Sequence, residues 1–411
     1  MERKKKERDF SIYILGLITI LAYRFFDYST FSDSAPIKMI SFILVLAVFV
    51  YSYRSFVTDK SNKLSKNVRW IVLSIIVSMF SSWVFWGQSL VLSYRIAYQV
   101  LLYIVFFYLV KEKTPIRKME YFILFFGLLY SLLWLYALLH FPTPIFGAVE
   151  DNGLVKEDDT RGMLRINFVG IAHLVLAYFF CLVKFNAKRN NFYLLGVFYF
   201  FIFIIFQLTR QVIAFSFIVG IVYYFYNNRK KIVLYGVISV VVLTIGIKCL
   251  PKENVLFAMI EVTQEQSERS KNKDKDIRLK EYEFFFTDYS KNAVTMLLGN
   301  GVPHTEGNYG EYANYLAKRY GYYLSDVGYA YIYCVMGIVG LLLFFGLIIR
   351  TLKMKIPPDY YYCKLYVIYM VFVNIASDAF LNRCNIICLC VCLYIMGTPA
   401  CKVLPNPKQH V

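Results

Sequence analysis

The sequence predicts an all-α integral membrane protein with about twelve transmembrane helices and one large extracytoplasmic loop. Its 411 residues are 58% hydrophobic and 18% charged, and the mean hydropathy is +0.51, whereas soluble domains carry roughly 25% charged residues. The apolar residues form runs close to the roughly 20 residues that cross a bilayer as a helix, while a membrane β-strand needs only about 9–11. These features exclude an ordinary soluble enzyme and a β-barrel.

Twelve spans are predicted along a single polytopic domain that covers residues 1–411. They are predicted at 10–26, 37–53, 70–86, 91–110, 121–141, 164–183, 192–208, 211–227, 232–250, 326–349, 364–380 and 385–399. The basic segment MERKKKERDF precedes the first span, but no small-residue cleavage site follows it. We therefore expect this span to stay in the protein as an uncleaved first helix.

The distribution of lysine and arginine predicts the side of the membrane on which each loop lies. Basic residues are frequent in alternate loops, namely 54–69, 111–118, 184–189, 229–231 and 350–364. Loops of this kind remain in the cytoplasm, so both termini are expected there and the loops poor in lysine are expected outside. This pattern is sufficient to explain the net charge of +18, and no nucleic-acid partner is expected.

Two outer segments interrupt the apolar pattern. Residues 142–163 combine prolines, glycines and acidic residues, and this composition predicts a loop. Residues 251–325 form a much longer loop, and loops beyond roughly 12–15 residues without structure are usually functional. Within it, apolar side chains recur at helical spacing, which predicts an amphipathic helix over about 279–297 on the outer membrane surface.

Arginines collect near the outer ends of the predicted spans. The residues that can reach this face are Arg161, Arg165, Arg210, Arg278 and Arg383. Each of them alone could simply extend its charge to the membrane boundary. Together they favour an anion site, because a guanidinium group binds phosphate through two parallel hydrogen bonds and stays charged when half-buried.

The most distinctive of these arginines lies in a very short break between two apolar runs. Thr209, Arg210 and Gln211 are the polar residues of this break. We expect the second helix to begin near Gln211 at membrane depth, where its backbone N–H groups would attract an anion beside Arg210. The alternative is a simple helical hairpin in which Arg210 has no further role.

His304 and Asp326 are the candidate acid–base residues. His304 lies in the glycine-containing segment LLGNGVPHTEG, and an imidazole can take or give a proton near neutral pH. Asp326 lies at the start of the predicted tenth span. A carboxylate there either caps the helix or faces a cavity, and the two roles are compatible.

No metal or cofactor is expected. Asp274 and Asp276 match the D-x-D pattern of metal-dependent sugar transferases, but they lie in the charged run SERSKNKDKD and are interpreted as solvated residues. The four cysteines between 384 and 392 have no accompanying histidine and are interpreted as small apolar residues that pack in the last helix. The sequence has no Walker loop, so ATP is not indicated.

These features together resemble the superfamily of O-antigen polymerases (Wzy) and O-antigen ligases (WaaL). The break QLTRQVIAFSFIVG is similar to that family's turn between two helices, and the family has a single large outer loop near its C-terminal third. The G-x-G segment followed by SDVGYAYIYCVMGIVG is similar to the end of that loop. Here the turn reads Thr-Arg-Gln, and Ser325-Asp326 stands where a ligase has His-Asn, which favours a polymerase.

The resemblance implies a repeat-unit polymerase for O-antigen, capsule or exopolysaccharide in the bacterial plasma membrane. Such an enzyme transfers the growing glycan from undecaprenyl diphosphate to the next lipid-linked repeat unit, on the extracytoplasmic face and without a metal. Asp326 or His304 would be the base for the acceptor hydroxyl. The diphosphate would be neutralised by arginines of the outer face: Arg210, Arg165, Arg278 and Arg161. The partners implied are the lipid bilayer, a flippase and a chain-length regulator.

Other functions remain open on the sequence alone. A ligase-like transferase would use the same donor, and a flippase or transporter of lipid-linked oligosaccharides would also suit twelve spans with both termini inside. Transporters tend to have two similar halves with interrupted helices at matching positions, and the one long loop in one half argues against that class. A structural or sensor membrane protein would leave the set of arginines unexplained.

Overall fold

The computed structural model describes residues 10–23, 35–140, 155–158, 163–166, 169–227 and 277–398. Within these residues the regular structure is helical apart from one short β-hairpin, which confirms the all-α class. The predicted ninth span at 232–250, the loop residues 251–276 and Arg161 lie outside the described residues.

Fifteen α-helices and two β-strands occur among the described residues. The helices before the long loop are α1 (Phe10–Tyr23), α2 (Ala35–Thr58), α3 (Ser65–Trp86), α4 (Leu90–Ala97), α5 (Val105–Glu112), α6 (Ile116–Leu139), α7 (Ile171–Lys188), α8 (Asn191–Phe206) and α9 (Arg210–Asn227). Those in and after it are α10 (Ile277–Thr287), α11 (Ala293–Leu298), α12 (Asn308–Tyr320), α13 (Gly328–Lys353), α14 (Tyr361–Val373) and α15 (Arg383–Gly397). The strands are β1 (Val155–Asp158) and β2 (Met163–Ile166), which pair antiparallel.

Several of these helices are long and apolar enough to cross a membrane, so the chain is an integral membrane protein with several spans. Five described helices meet this requirement alone, namely α2, α3, α6, α7 and α13. A sixth span results if α4 and the segment Leu101–Glu112 are counted together across a bend of 68°. The shorter apolar helices have 10–17 residues, so the described residues contain five or six candidate spans where the sequence predicts twelve along the whole chain.

The bend in the predicted fourth span places a buried residue against the segment before the last helix. α4 begins after Ser89, whose hydroxyl accepts a hydrogen bond from the N–H of Leu92 at 3.3 Å. A short 3-10 turn over 101–104 connects the bend to α5. Tyr103 in this turn is fully buried and donates a hydrogen bond to the carbonyl of Phe380 at 2.8 Å.

The prediction that 142–163 is a loop throughout is wrong for its last part, which contributes to the β-hairpin. In this hairpin Lys156 pairs with Arg165. The predicted sixth span at 164–183 therefore begins in β2, and its helix begins only after Gly170, whose φ is +132°. The apolar residues of β2 extend the hydrophobic run without extending the helix, and hydropathy alone does not distinguish the two.

The single amphipathic helix predicted over 279–297 is wrong in its continuity, because two helices occupy this segment. α10 ends at Thr287 and α11 begins after Asn292. The Asn292 side chain accepts a hydrogen bond from the N–H of Thr295 at 3.0 Å, and the Thr295 hydroxyl accepts one from the N–H of Asn292 at 3.2 Å. This reciprocal cap satisfies the first backbone groups of a new helix, so the preceding helix ends.

The described connections between helices group at two ends of the bundle. We call one the basic end, and it carries the connections 59–64, 113–115, 189–190 and 354–360. The opposite end, which we call the site end, carries 87–89, 207–209, 299–327 and 374–382. Connections rich in lysine and arginine are thus separated from those that are not, as the positive-inside pattern requires. The cytoplasmic location of the basic end remains a prediction.

A Glu311→Cys variant is expected to react with a membrane-impermeant thiol reagent in intact cells, after permeabilisation of any outer envelope. Glu311 is exposed on α12 at the site end, and Lys355 is exposed at the basic end. The native cysteines among the described residues are buried, and the unmodified protein measures the remaining background. A Lys355→Cys variant should react only after lysis, and the opposite pattern would reverse the assignment of sides.

Candidate functional site

The end of the long loop is anchored between α3 and α13 at the site end. The N–H groups of Asn300 and Gly301 donate hydrogen bonds to the carbonyls of Cys334 at 2.8 Å and Val335 at 3.0 Å. These carbonyls are available because α13 is broken at Gly337, which has φ +67° and ψ −173°. Backbone groups released by the break are thereby satisfied by another segment, as buried backbone requires.

The Asn300 side chain strengthens this anchor. Its Nδ2 donates hydrogen bonds to the Ser290 hydroxyl and to the Cys334 carbonyl, both at 3.1 Å. Its Oδ1 accepts a hydrogen bond from the Trp86 indole at 2.9 Å. Asn300 is fully buried, so replacing it would leave buried partners unsatisfied.

An aromatic cluster holds the loop helices α10 and α12 over this anchor. Trp86 at the end of α3 stacks on Tyr309 of α12 with ring centroids 4.3 Å apart. The Tyr289 hydroxyl donates a hydrogen bond to the Tyr309 hydroxyl at 3.1 Å. Lys291 lies on the Trp86 ring, with its Nζ 3.7 Å from the ring centroid. Sequence reasoning did not predict α12, and the helix is part of the wall of the site.

His304 follows the anchored segment directly, and its backbone is held by a side chain of the opposite loop. The N–H of His304 donates a hydrogen bond to Oε1 of Gln88 at 2.9 Å. Gln88 Nε2 in turn donates to the carbonyl of Val302 at 3.0 Å. Gln88 is 1% exposed, so it fixes residues 302–304 from inside the protein.

The imidazole of His304 is engaged as a hydrogen-bond acceptor. Its Nδ1 accepts a hydrogen bond from the N–H of Glu306 at 3.2 Å, so the neutral ring carries its proton on Nε2. Burial lowers the pKa of His304, the charge of Glu306 raises it, and the charge of Arg95 lowers it. Glu306 and Arg95 form an ion pair at 3.1 Å. The neutral ring can therefore donate a hydrogen bond, but it presents no further basic nitrogen.

Asp326 ends a short 3-10 turn, Leu324–Asp326, that leads into α13. Its carboxylate is half-buried and accepts a hydrogen bond from the Ser325 hydroxyl at 3.3 Å. The capping alternative for Asp326 is wrong, because the N-cap residue of α13 is Val327, with no side-chain cap hydrogen bond. The position one residue earlier still places the carboxylate near the positive end of the helix dipole.

A second carboxylate, that of Asp378, lies near Asp326. Asp378 belongs to the segment 374–382, which connects α14 to α15. Burial raises the pKa of Asp378 to about 6, the charge of Asp326 also raises it, and the charge of Arg383 lowers it. Neighbouring carboxylates behave in this way because the ionisation of one disfavours that of the other. Asp378 is an ionisable residue near the end of the predicted span 364–380, where charge is costly, but sequence reasoning assigned it no role because nothing in the local sequence indicates that Asp326 is its neighbour.

A cavity of about 260 Å³ lies between Asp378 and the segment that carries His304. Most of its wall is apolar or aromatic, with a few polar groups from four separate elements. The lining residues include Pro303, Asn314, Tyr322, Ser325, Tyr331 and Asp378. His304 and Asp326 each follow a lining residue in sequence. A largely apolar cavity with a few convergent polar groups is the usual form of a small-molecule site.

The tight break predicted around Arg210 is confirmed. α8 ends at Phe206 and α9 begins at Arg210, so three residues connect the two helices. Leu208 in this connection has φ +52°, a conformation that few residues other than glycine adopt. The first helical residue is Arg210 rather than Gln211, which places the guanidinium group at the N-terminus of the helix.

Arg210 and Asp378 lie at the same end of two packed antiparallel helices, α9 and α14. Two stacked aromatic pairs join these helices, with ring centroids 5.4 Å apart for Phe215–Phe372 and 5.9 Å apart for Tyr223–Tyr361. α9 leads away from Arg210, whereas α14 leads towards the segment 374–382. The pairing therefore brings the tight break and this segment to the site end together.

Arg278 is also near the segment 374–382. It is exposed at the second position of α10, one helical turn before Tyr282. The Tyr282 hydroxyl donates a hydrogen bond to the carbonyl of Ile375 at 2.6 Å. Burial raises the pKa of Tyr282, and the charge of Arg278 lowers it. α10 thus carries Arg278 to the edge of the site end.

The other predicted arginines have different surroundings. Arg383 is the first residue of α15, is 8% exposed, and donates a hydrogen bond from Nη1 to Oε1 of Gln99 at 3.4 Å. Arg165 lies in β2, where it pairs with Lys156. Arg161 lies outside the described residues. The described structure thus places Arg210, Arg278 and Arg383 at the site end.

The site end combines a cavity, two neighbouring carboxylates and arginines at the beginning of three helices. Such groups can bind a polar anionic molecule and exchange a proton with it. What is established is a helical membrane protein with several spans. Comparison with the models of known protein families and with curated proteins finds no match to this chain.

Proposed function

We propose that this protein is a repeat-unit polymerase for O-antigen, capsule or exopolysaccharide, with about twelve spans and its site on the extracytoplasmic face. The observation that carries the proposal is the cavity at the site end, where Asp378 lines the wall close to Asp326. A substrate with a polar reacting part and a lipid that holds it at the membrane would suit such a site. An oligosaccharide linked to undecaprenyl diphosphate has both properties.

The reaction transfers the growing glycan from its lipid carrier to a hydroxyl of the next lipid-linked repeat unit. The hydroxyl oxygen forms a bond to the anomeric carbon, and the bond from that carbon to the diphosphate breaks. The electron pair leaves with the lipid diphosphate. Cationic groups beside the diphosphate stabilise the charge that develops there, and a base near the hydroxyl takes its proton.

Arg210 is our first candidate for neutralising the diphosphate. It begins α9, and a helix N-terminus adds its own attraction for an anion. Arg278 is the second candidate, since α10 contacts the segment 374–382. Arg165, which lies in β2, and Arg161, which lies outside the described residues, stay candidates from the sequence.

The proposal is tested by deleting the gene and analysing the cell-surface glycans. A polymerase mutant should lose long-chain polysaccharide while single repeat units are still made and still reach the outer face. Loss of every attached unit would favour a ligase-like transferase, and accumulation of units on the cytoplasmic face would favour a flippase. Either of these outcomes would overturn the proposed function.

Purified protein provides the direct test of the reaction. Proteoliposomes that contain it should convert lipid-diphosphate-linked repeat units of the host into a ladder of longer lipid-linked products. Liposomes without protein are the control for chemical degradation of the donor. A wild-type protein that is folded and inserted but yields no ladder would argue against a polymerase.

The double variant Asp274→Asn, Asp276→Asn is expected to form polymer at close to the normal level, and EDTA is expected to leave the reaction unchanged. The reason is that arginines and helix N–H groups can neutralise a diphosphate without a metal ion. Asp274 and Asp276 lie outside the described residues, so this remains a prediction from the sequence. A large loss of polymer in either experiment would indicate a metal-dependent transferase.

A further inference from the structure

We propose that the cavity at the site end binds the sugar that accepts the glycan, and that Asp378 takes the proton of its hydroxyl. This inference rests on the proposed polymerase function and assigns the acceptor subsite and the base within it. It replaces Asp326 and His304, the two bases that the sequence favours, with a residue that the sequence does not identify as a base.

The size and lining of the cavity suit one sugar ring. Its volume of about 260 Å³ is below the roughly 300–1,000 Å³ of pockets for drug-sized ligands. Tyr322 and Tyr331 provide aromatic surface for the apolar face of a sugar, while Asn314 and Ser325 provide hydrogen-bonding groups for hydroxyls. The acceptor repeat unit could therefore be recognised in this cavity through its terminal sugar.

The wall of the cavity is held together by hydrogen bonds between different elements. The N–H of Tyr323 donates to Oε1 of Glu281 on α10 at 2.8 Å, and Glu281 is 1% exposed. The hydroxyl of Tyr282, also on α10, donates to the carbonyl of Ile375. α10 thus joins the segment before α13 to the segment that carries Asp378. A subsite of this kind exists before the acceptor arrives, which lowers the entropic cost of binding.

Asp378 is the acid–base candidate that lines the cavity. His304 is less suitable because its Nδ1 already accepts a hydrogen bond from Glu306 and its Nε2 carries the proton. Asp326 accepts a hydrogen bond from the Ser325 hydroxyl, and its charge raises the pKa of Asp378. We therefore assign Asp326 a tuning role and Asp378 the contact with the acceptor.

The charged groups that act on Asp378 are Asp326 and Arg383, and the phenol of Tyr331 lines the same cavity. Burial and the charge of Asp326 raise the pKa of Asp378 to about 6, against the lowering by Arg383. The carboxylate is consequently mostly ionised at neutral pH and becomes protonated as the pH falls through about 6. A base whose pKa lies near the working pH is well matched to proton transfer.

In the step that follows from this assignment, the proton of the acceptor O–H passes to the Asp378 carboxylate. The acceptor oxygen bonds to the anomeric carbon as the bond from that carbon to the diphosphate oxygen breaks. The electron pair departs with the lipid diphosphate, which the arginines stabilise. Asp378 then releases its proton to water and is ready for another cycle.

The test is polymer formation in proteoliposomes, measured as a function of pH and of acceptor concentration. Asp378→Asn should lower turnover by about 10²–10⁴, with a smaller change in the acceptor KM. Asn314→Ala should instead act mainly on the acceptor KM. The matched control is Asp288→Asn, since Asp288 is an exposed carboxylate of the long loop that does not line the cavity, and this variant should retain the wild-type rate and pH dependence.

The pH dependence provides a readout that a purely structural role would not change. Wild-type turnover should fall as the pH drops through about 6, because protonated Asp378 cannot accept a proton. Asp326→Asn removes the negative charge that raises this pKa, so the acidic inflection should move to lower pH. If Asp378→Asn fails to fold, these two profiles still decide the question.

The outcomes separate this inference from the proposed function. A wild-type protein that polymerises, together with normal turnover in Asp378→Asn, would overturn the assignment and leave the polymerase intact. An unchanged inflection in Asp326→Asn would overturn it as well. A folded wild-type protein that forms no polymer at any pH would instead refute the proposed function on which the inference rests.

Discussion

Replacing Arg210 with alanine should lower the turnover of the proposed polymerase by about 10²–10³, or roughly 3–4 kcal/mol. Arg210→Lys should cause a smaller loss, because lysine keeps the charge but not the planar pair of donors. The charge on the diphosphate grows as the bond to the sugar breaks. The variants should therefore lose more in turnover than in affinity for the donor.

The position of Arg210 in the fold is the reason to expect so large an effect. It is half-buried at the N-terminus of α9, after a connection of only three residues. The carbonyl of Thr209 accepts hydrogen bonds from the N–H groups of Val212 at 3.0 Å and Ile213 at 3.1 Å. These bonds fix the backbone at the start of α9, so the Arg210 side chain leaves the helix from a defined position beside its free N–H groups.

The measurement is long-chain polymer per amount of inserted protein. Arg117→Ala is a matched control, because Arg117 is also near the start of a membrane helix but lies at the basic end. Arg117→Ala should behave as the wild type. If Arg210→Ala reduced only the amount of inserted protein, with normal activity per molecule, Arg210 would be an anchor for the turn and not part of the site.

The membrane class and many helix positions could be predicted because hydropathy is a local property. The third span, predicted at 70–86, corresponds to α3 at Ser65–Trp86, and the last, predicted at 385–399, corresponds to α15 at Arg383–Gly397. The break before Arg210 was predictable for the same reason, because so few polar residues between two apolar runs allow only a short connection between two helices. Helix ends and bends, the β-hairpin and the helices of the long loop required the structure.

The cavity could not be predicted, because its wall joins residues that are distant in the sequence. Pro303, Asn314 and Asp378 meet only after the long loop has folded onto the bundle. α12 was missed because its N-cap residue, Gly307, gives no side-chain cap, and a capping side chain is the usual signal for a helix start. The end of α12 has a clearer signal in the sequence, because Gly321, with φ +70°, is a glycine directly after the helix.

The pair of carboxylates at the site could not be predicted from the local sequence either. Asp326 attracted attention because it opens an apolar run, which is a feature of the local sequence. Asp378 acquires its raised pKa from burial and from Asp326, which lies 52 positions earlier in the chain. No window of sequence contains both residues, so their relation appears only in three dimensions.

Gly337→Ala is expected to remove most of the folded protein, because Gly337 forms the break in α13 that receives the loop. With φ +67° and ψ −173°, it has a backbone conformation that costs a residue other than glycine about 1–3 kcal/mol. A Cβ atom at this position would also overlap the carbonyl oxygen of Leu297. Backbone atoms cannot move aside as a flexible side chain can, so the clash adds to the strain.

In the Gly337→Ala variant, α13 could escape the strain and the clash only by becoming a continuous helix, and this would also destabilise the fold. A continuous helix would take back the carbonyls of Cys334 and Val335, which now accept hydrogen bonds from Asn300 and Gly301. The segment 299–301 would then lose its anchor, and the loop would lose its position above the site.

Thermal unfolding and monodispersity in mild detergent measure the loss of stability in Gly337→Ala. Gly346→Ala is the control in the same helix, since a Cβ there has open space around it and alanine favours a helix over glycine by about 1 kcal/mol. Equal stability of the two variants would mean that the break at Gly337 does not hold the loop in place.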